Sequence, residues 1–105
     1  MYYTYVIRCI DNSLYTGITN DLERRMNEHF KKTEKCAKYT LKHTPVKLEA
    51  VWESDSRSVA SKLEYHFKKL KKEQKELIVK ENCEIKNFLD NKIDISRYKR
   101  LEIKV

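Results

Sequence analysis

Glycine and proline are almost missing from this chain, with one of each in 105 residues. Turns must therefore come mostly from Asp, Asn and Ser, whose short side chains bond the local backbone. There is no internal repeat and no low-complexity linker. No run approaches the ~20 consecutive apolar residues of a membrane-spanning helix, so none is expected. The start, MYYTYVIRC, lacks the basic opening and long apolar core of a secretory signal. Cysteine is sparse and odd in number: Cys9, Cys36 and Cys83 are widely spaced and form no CxxC pair. A reduced, cytoplasmic chain with unbridged thiols is the expectation.

What is present is charge and apolar pattern in similar amounts. Apolar residues make up 40% of the chain, enough for one modest core, and charged residues 37%. That mix argues against disorder, because disordered chains lack the apolar residues to offset ordering entropy. The formal charge is +7. It is concentrated between Arg24 and Lys47, where eight basic residues face only Glu28 and Glu34. Such a segment suits a polyanion, most often nucleic acid, or serves as a solubilising surface.

Tyr2 to Ile10 is rich in β-branched and aromatic residues and reads as a strand. Asp11-Asn12-Ser13 reads as a turn, and Leu14 to Ile18 as the returning strand. A three-residue turn over 11–13 would pair Cys9 with Tyr15 and Tyr5 with Thr19. Tyr5 and Tyr15 would then share one sheet face, with Cα atoms ~13 Å apart. Asn20 as N-cap with Glu23 predicts a helix start, and Leu22, Met26 and Phe30 its apolar stripe. Lys31 to Thr44 reads as a basic connection with a short helical turn near Ala37 to Leu41, and Pro45 bars a helix there. Lys47 to Glu53 predicts a third strand. Asp55 to Lys72 predicts the strongest helix, with Val59, Leu63, Phe67 and Leu70 on one face. A further helix is expected over Glu73 to Lys80. Beyond it, Asn87-Phe88-Leu89 could extend a helix, and Arg100 to Val105 alternates like a short strand.

Several of these residues form a familiar ordered set. Tyr3-Thr4-Tyr5, Tyr15-Thr16-Gly17, Asp21-Leu22-Glu23-Arg24-Arg25 with His29, Tyr39 to Leu48, and the Ala60 to Glu64 step resemble the GIY-YIG nuclease superfamily. The resemblance is to its small stand-alone bacterial branch and covers about residues 1–83, leaving 84–105 as a C-terminal extension packed on the domain or trailing from it. The first motif is Tyr3-Thr4-Tyr5 in place of Gly-Ile-Tyr, and Thr16 replaces isoleucine in the second. The expected fold is α/β of the α+β type: a small, mainly antiparallel three-stranded sheet flanked by helices.

The resemblance implies an endonuclease hydrolysing DNA phosphodiester bonds with Mg²⁺ or Mn²⁺, in a setting such as repair or recombination. Arg25 matches the catalytic arginine. At i and i+4, Arg25 and His29 project from one helical face with Cβ atoms ~6 Å apart, a spacing that can serve one phosphate. Arg24 lies ~100° around the helix, toward solvent or the DNA backbone. Glu64 matches the metal-binding carboxylate. Tyr5 and Tyr15 match the two tyrosines, one of which, with Tyr5 favoured, helps deprotonate the attacking water. A phenol titrates near ~10 in water, so such a base needs cations close by. Gly17, the single glycine, lacks a Cβ where backbone or ligand must approach closely, or else relieves strain at a strand end. Lys42 and His43 are expected phosphate contacts in the basic connection. Asn82 is the nearest candidate for an asparagine many members carry downstream of the glutamate. His66 reads as structural or exposed. Read without the resemblance, the same residues also suit a non-catalytic nucleic-acid-binding module or a protein-interaction adaptor.

Overall fold

The structure, a computed structural model, describes residues 1–31 and 43–103. Lys42 and the helical turn expected over residues 37–41 lie outside the described residues. The chain opens with β1 (Tyr2–Cys9), β2 (Leu14–Thr19) and α1 (Leu22–Phe30). After the connection come β3 (Pro45–Ser54), α2 (Arg57–Lys68) and α3 (Lys72–Lys80). A 3-10 turn at Asn82–Glu84 leads into α4 (Ile85–Leu89), a second 3-10 turn spans Ile95–Arg97, and β4 (Lys99–Arg100) closes the order.

The sheet is antiparallel in the order β2-β1-β3-β4. It has four strands where three were expected, because the alternating tail pairs Trp52 with Arg100 and Glu53 with Lys99. Pro45 is the first residue of β3, a position where no ladder donor is lost.

The β1–β2 hairpin turns over Ile10 to Asn12, one residue earlier than the sequence suggests. The Asn12 amide donates to the Cys9 carbonyl (2.8 Å), and the Cys9 amide donates to the Ser13 carbonyl (2.9 Å). Asn12 takes a left-handed φ of 68°, a conformation asparagine tolerates better than most side chains. Asp11 braces the turn by accepting from the Ser13 amide and hydroxyl. Moving a turn of the same length by one residue moves the pairing by two. Tyr5 therefore faces Gly17, not Thr19, and Tyr15 faces Ile7, not Cys9. The parity survives, so Tyr5 and Tyr15 still share a face. They now sit two residue steps apart in place of four, which removes the ~13 Å separation expected from the other register.

Helix α1 begins one residue later than expected. Asp21, not Asn20, is the N-cap, and its carboxylate accepts from the Arg24 amide (3.1 Å). Phe30 does not join the buried stripe and is 40% exposed, whereas His29 is fully buried. Leu22 and Met26 pack as expected, so the helix puts Leu22, Met26 and His29 inward.

The two faces of the sheet bury different material. One carries Val6, Ala50 and Trp52 against Leu63 and Phe67 of α2 and Ile78 of α3. Ile85, Leu89 and Ile93 from the last quarter of the chain join the same cluster. Each Val, Leu, Ile or Phe side chain among them contributes roughly 1.5–3 kcal/mol on full burial. Thr4 ties this face to α2 by donating to the Ala60 carbonyl (3.1 Å). Asn82 belongs here too: its side chain accepts from the Trp52 indole (2.8 Å), which gives it a structural partner. Arg100 lies over the Trp52 ring and donates to the Ile78 and Val79 carbonyls near the end of α3. The other face carries Tyr5, Ile7, Cys9 and Val51, covered by Leu22 and Met26 of α1 and by Leu101 and Ile103.

Candidate active site

Side chains from β1, β2 and α1 meet on the second face. Tyr5 and Tyr15 have ring centroids 6.3 Å apart, and each lies 5.5 Å from the imidazole of His29, so the three rings form a triangle. The Tyr5 hydroxyl is 2.8 Å from His29 Nε2. Arg25 donates from Nε to the same hydroxyl (3.3 Å) and from Nη1 to Glu28 Oε1 (2.9 Å). A guanidinium only donates, so the phenol oxygen accepts from Arg25. Its own hydrogen can then point at Nε2 when the imidazole carries its proton on Nδ1.

Gly17 explains how the phenol fits. Its φ is not positive, so the residue is not needed for backbone conformation. A Cβ at this position would lie 2.5 Å from Tyr5 Oη, 2.7 Å from Tyr5 Cζ and 3.3 Å from Tyr15 Cε2. The Tyr5 ring lies flush across the bare backbone of its cross-strand partner.

Burial sets the electrostatics. It pushes the Tyr5 phenol up to about 12; the Tyr15 and Glu64 charges act in the same direction, and Arg25 opposes. Arg25 favours the phenolate, but desolvation outweighs the guanidinium. Burial also brings His29 down to about 4, helped by the Arg25 charge and opposed by Glu28. Near neutral pH the centre holds a neutral phenol, a neutral imidazole and a guanidinium.

Glu64 reaches this centre from α2. Its charge is the smallest of the influences that raise the Tyr5 phenol. The carboxylate is 24% exposed and pairs with Lys68 Nζ (3.3 Å), which itself lies 5.9 Å from the Tyr15 ring centroid. Among the described residues no group of three or more His, Cys, Asp or Glu could hold a metal ion. A cation here would rest on one accessible carboxylate, with waters and phosphate oxygens as further ligands. That donor set fits Mg²⁺ or Mn²⁺, which favour oxygen and keep several waters.

The remaining candidates lie apart from this centre. Arg24 is exposed on α1. His43 pairs through Nδ1 with Asp11 Oδ2 (2.5 Å) at the hairpin tip, several residue steps from Tyr5. His66 is half-buried, with its ring edge-on to Tyr65 at 5.1 Å. Two residues at the site were not singled out by sequence reasoning. Glu28 figured only as counter-charge and Lys68 only as one position of the helix expected over Asp55 to Lys72. The signal for both was helical spacing: Glu28 is i+3 from Arg25, and Lys68 is i+4 from Glu64.

The GIY-YIG catalytic domain matches residues 1–77. A UPF0213 protein of Fusobacterium nucleatum is 41% identical over 104 residues, covering 98% of this chain and 95% of that protein. The UPF0213 protein YsiG of Lactococcus lactis is 36% identical over 104 residues, covering 98% and 97%. The solution NMR structure of a UPF0213 protein from Bacillus halodurans superposes with a TM-score of 0.50 at 40% identity, covering 76% of this chain and 84% of that one. With its family model matching residues 1–77 and these relatives matching nearly the whole chain, the chain belongs to the GIY-YIG nuclease superfamily, in its small UPF0213 branch.

Proposed function

We propose that this chain is a divalent-metal-dependent endonuclease that hydrolyses DNA phosphodiester bonds. The observation that carries the reading is the hydrogen-bonded run from Arg25 through the Tyr5 hydroxyl to His29, with Glu64 close enough for its charge to act on the phenol.

In this reading Tyr5 acts as a relay and needs no standing phenolate. Water attacks phosphorus and gives its proton to Tyr5 Oη as the phenol proton passes to His29 Nε2. The bond from phosphorus to the leaving oxygen breaks, and its electron pair goes to that oxygen. His29 is a weak acceptor in the substrate-free protein partly because of the Arg25 charge. A phosphate docked on Arg25 offsets that charge and strengthens the imidazole as acceptor. The guanidinium then faces the oxygens on which negative charge grows, where its planar fork suits phosphate geometry. Glu64 would hold the Mg²⁺ or Mn²⁺, which when bound supplies Lewis-acid stabilisation of the phosphate and leaving oxygens.

The test is incubation with single-stranded, duplex, flapped and branched DNA, with Mg²⁺ or Mn²⁺ and with EDTA. Cleavage should require the metal. Tyr5→Phe, Arg25→Ala and Glu64→Ala should each lower the rate ~10²–10⁴-fold while the protein stays folded. If all three variants cut as well as the wild type, the site assignment is wrong. The second reading is a binding module without catalysis. It draws on the fact that Arg25 and Glu64 are each paired within their own helices, to Glu28 and Lys68. It predicts salt-sensitive DNA binding that is indifferent to chelator, and no cleavage with any metal.

A further inference from the structure

Between residues 62 and 80 the chain carries seven lysines and three glutamates. Three of the lysines form a row that starts at the candidate site. Lys68 is at its head, 3.3 Å from Glu64 Oε2 and 5.9 Å from the Tyr15 ring centroid. Lys72 follows at the start of α3: its ammonium lies 3.4 Å from Glu76 Oε2 and reaches the Asn12 carbonyl at the hairpin tip. Lys75, one helical turn further, makes no ion pair among the described residues. Lys69 turns away from the row, with its ammonium 4.5 Å from the ring centroid of exposed Tyr65.

The local acids leave this row under-neutralised. Glu76 is gripped at both oxygens by Arg8, whose Nη2 is 2.6 Å from Oε1, so Lys72 shares a carboxylate already engaged by a guanidinium. Lys75 feels its two neighbours: burial, then the Lys72 and Lys68 charges, push its amine down. A folded surface that holds like charges together is stabilised by a ligand with a matching row of opposite charge, and a phosphodiester backbone is such a ligand. Isolated anions match one ammonium each, whereas a polynucleotide meets the whole row while one of its phosphates occupies the Arg25 centre.

We infer that Lys68, Lys72 and Lys75 form a backbone track for the DNA strand, leading it from the candidate active site toward the hairpin tip at Asn12. The track rests on the nuclease reading for its substrate, but its binding can be tested apart from cleavage. Because the contacts are to phosphates, the track fixes register and affinity without reading sequence.

The experiment is a salt titration of duplex DNA binding by fluorescence anisotropy in EDTA, so that no cleavage occurs. It compares the wild type with Lys72→Gln/Lys75→Gln, which keeps both sites polar and uncharged and leaves the site residues untouched. The control is Lys62→Gln/Lys92→Gln, two lysines lining a recess with Val59 and Arg97 that includes no member of the row. Each lost phosphate contact should lower the slope of log K against log[salt] by about 0.9, so the track variant should lose roughly 1–2 while the control keeps the wild-type slope. Thermal melting confirms that both variants are folded. With Mg²⁺, the track variant should raise KM and leave kcat at saturating DNA unchanged. Equal slopes for track and control variants, an unchanged track slope, or no binding by the wild type at low salt would each overturn the track. A reduced track slope in a protein that never cleaves would uphold the track and sink the nuclease reading. Cleavage with an unchanged slope would do the reverse.

Discussion

The two faces of one sheet are put to different uses. Toward α2, α3 and α4 the sheet presents Val6, Ala50 and Trp52 to a nearly dry apolar cluster. The polar atoms there have structural partners: the Trp52 indole on Asn82, and Thr4 on the Ala60 carbonyl. Toward α1 the sheet presents Tyr5, and the helix brings buried His29 and partly exposed Arg25 within reach of its hydroxyl. On this second face burial shifts acid–base behaviour, raising Tyr5 and lowering His29. The same desolvation that stabilises the first face therefore tunes the second. A core residue and a site residue can be equally buried, at 0% exposure for Phe67 and His29, and still differ entirely in what their removal costs.

Exchanging substitutions between the faces tests this contrast. The largest expected difference is between Tyr5→Phe and Phe67→Ala. Tyr5→Phe should lower cleavage ~10²–10⁴-fold and leave the protein folded. Phe67→Ala should cost about 3–5 kcal/mol of stability and leave the rate per folded molecule near wild type. Denaturant unfolding and single-turnover cleavage on both variants decide it. A folded Phe67→Ala protein without activity would show that the two faces are not separable.

Gly17→Ala is expected next, because it strikes both properties at once. The new Cβ would sit 2.5 Å from the Tyr5 hydroxyl, and overpacking of this kind typically costs 1–3 kcal/mol. The phenol must also leave its position between Arg25 and His29, so cleavage should drop with stability. Wild-type melting and wild-type rates together would remove the packing reason for the glycine.

The effect spread most thinly, over about two to three pH units, is a pH dependence of stability assigned to His29. Its folded value of about 4 lies below the ~6.5 of an unfolded histidine. Between those values the unfolded chain binds the proton and the folded chain resists it. The contribution is full above ~6.5, declines as pH falls, and is spent below about 4. His29→Gln should abolish that slope. A stability difference between wild type and variant that is constant from pH 7 to 4 would show that the imidazole is not held neutral by its site. Asp11, held down at about 2 by Ser13 and His43, loses its contribution in a lower window and does not interfere.

Much of this arrangement was legible from local chemistry. Val59, Leu63 and Phe67 announced the face of α2 by spacing alone, and all three are buried. Parity put Tyr5 and Tyr15 on one face even though the register was two residues off, because facing depends only on odd or even offset. What escaped the sequence depended on tertiary partners. Phe30 is the more apolar neighbour of His29, yet the histidine is buried because the Tyr5 hydroxyl offers it a hydrogen bond. Nothing local distinguishes Asn20 from Asp21 as a cap, since both side chains can accept from the first turn. Charges that neutralise one another on a helix surface, such as Glu64 with Lys68, read as ordinary solvated pairs until another element brings a phenol beside them.

The family match stops at residue 77, but the packing does not. Ile78, Ile85, Leu89 and Ile93 fill the far side of the sheet, and Arg100 clasps the last turn of α3 through the Ile78 and Val79 carbonyls. A shortened version trimmed to the matched segment would therefore not be a self-sufficient domain. It would expose Trp52 and the inner side of α2 to water and leave the Tyr5 face supported by half a scaffold. Anyone grafting this centre onto another protein must carry along the segment that touches none of its chemistry.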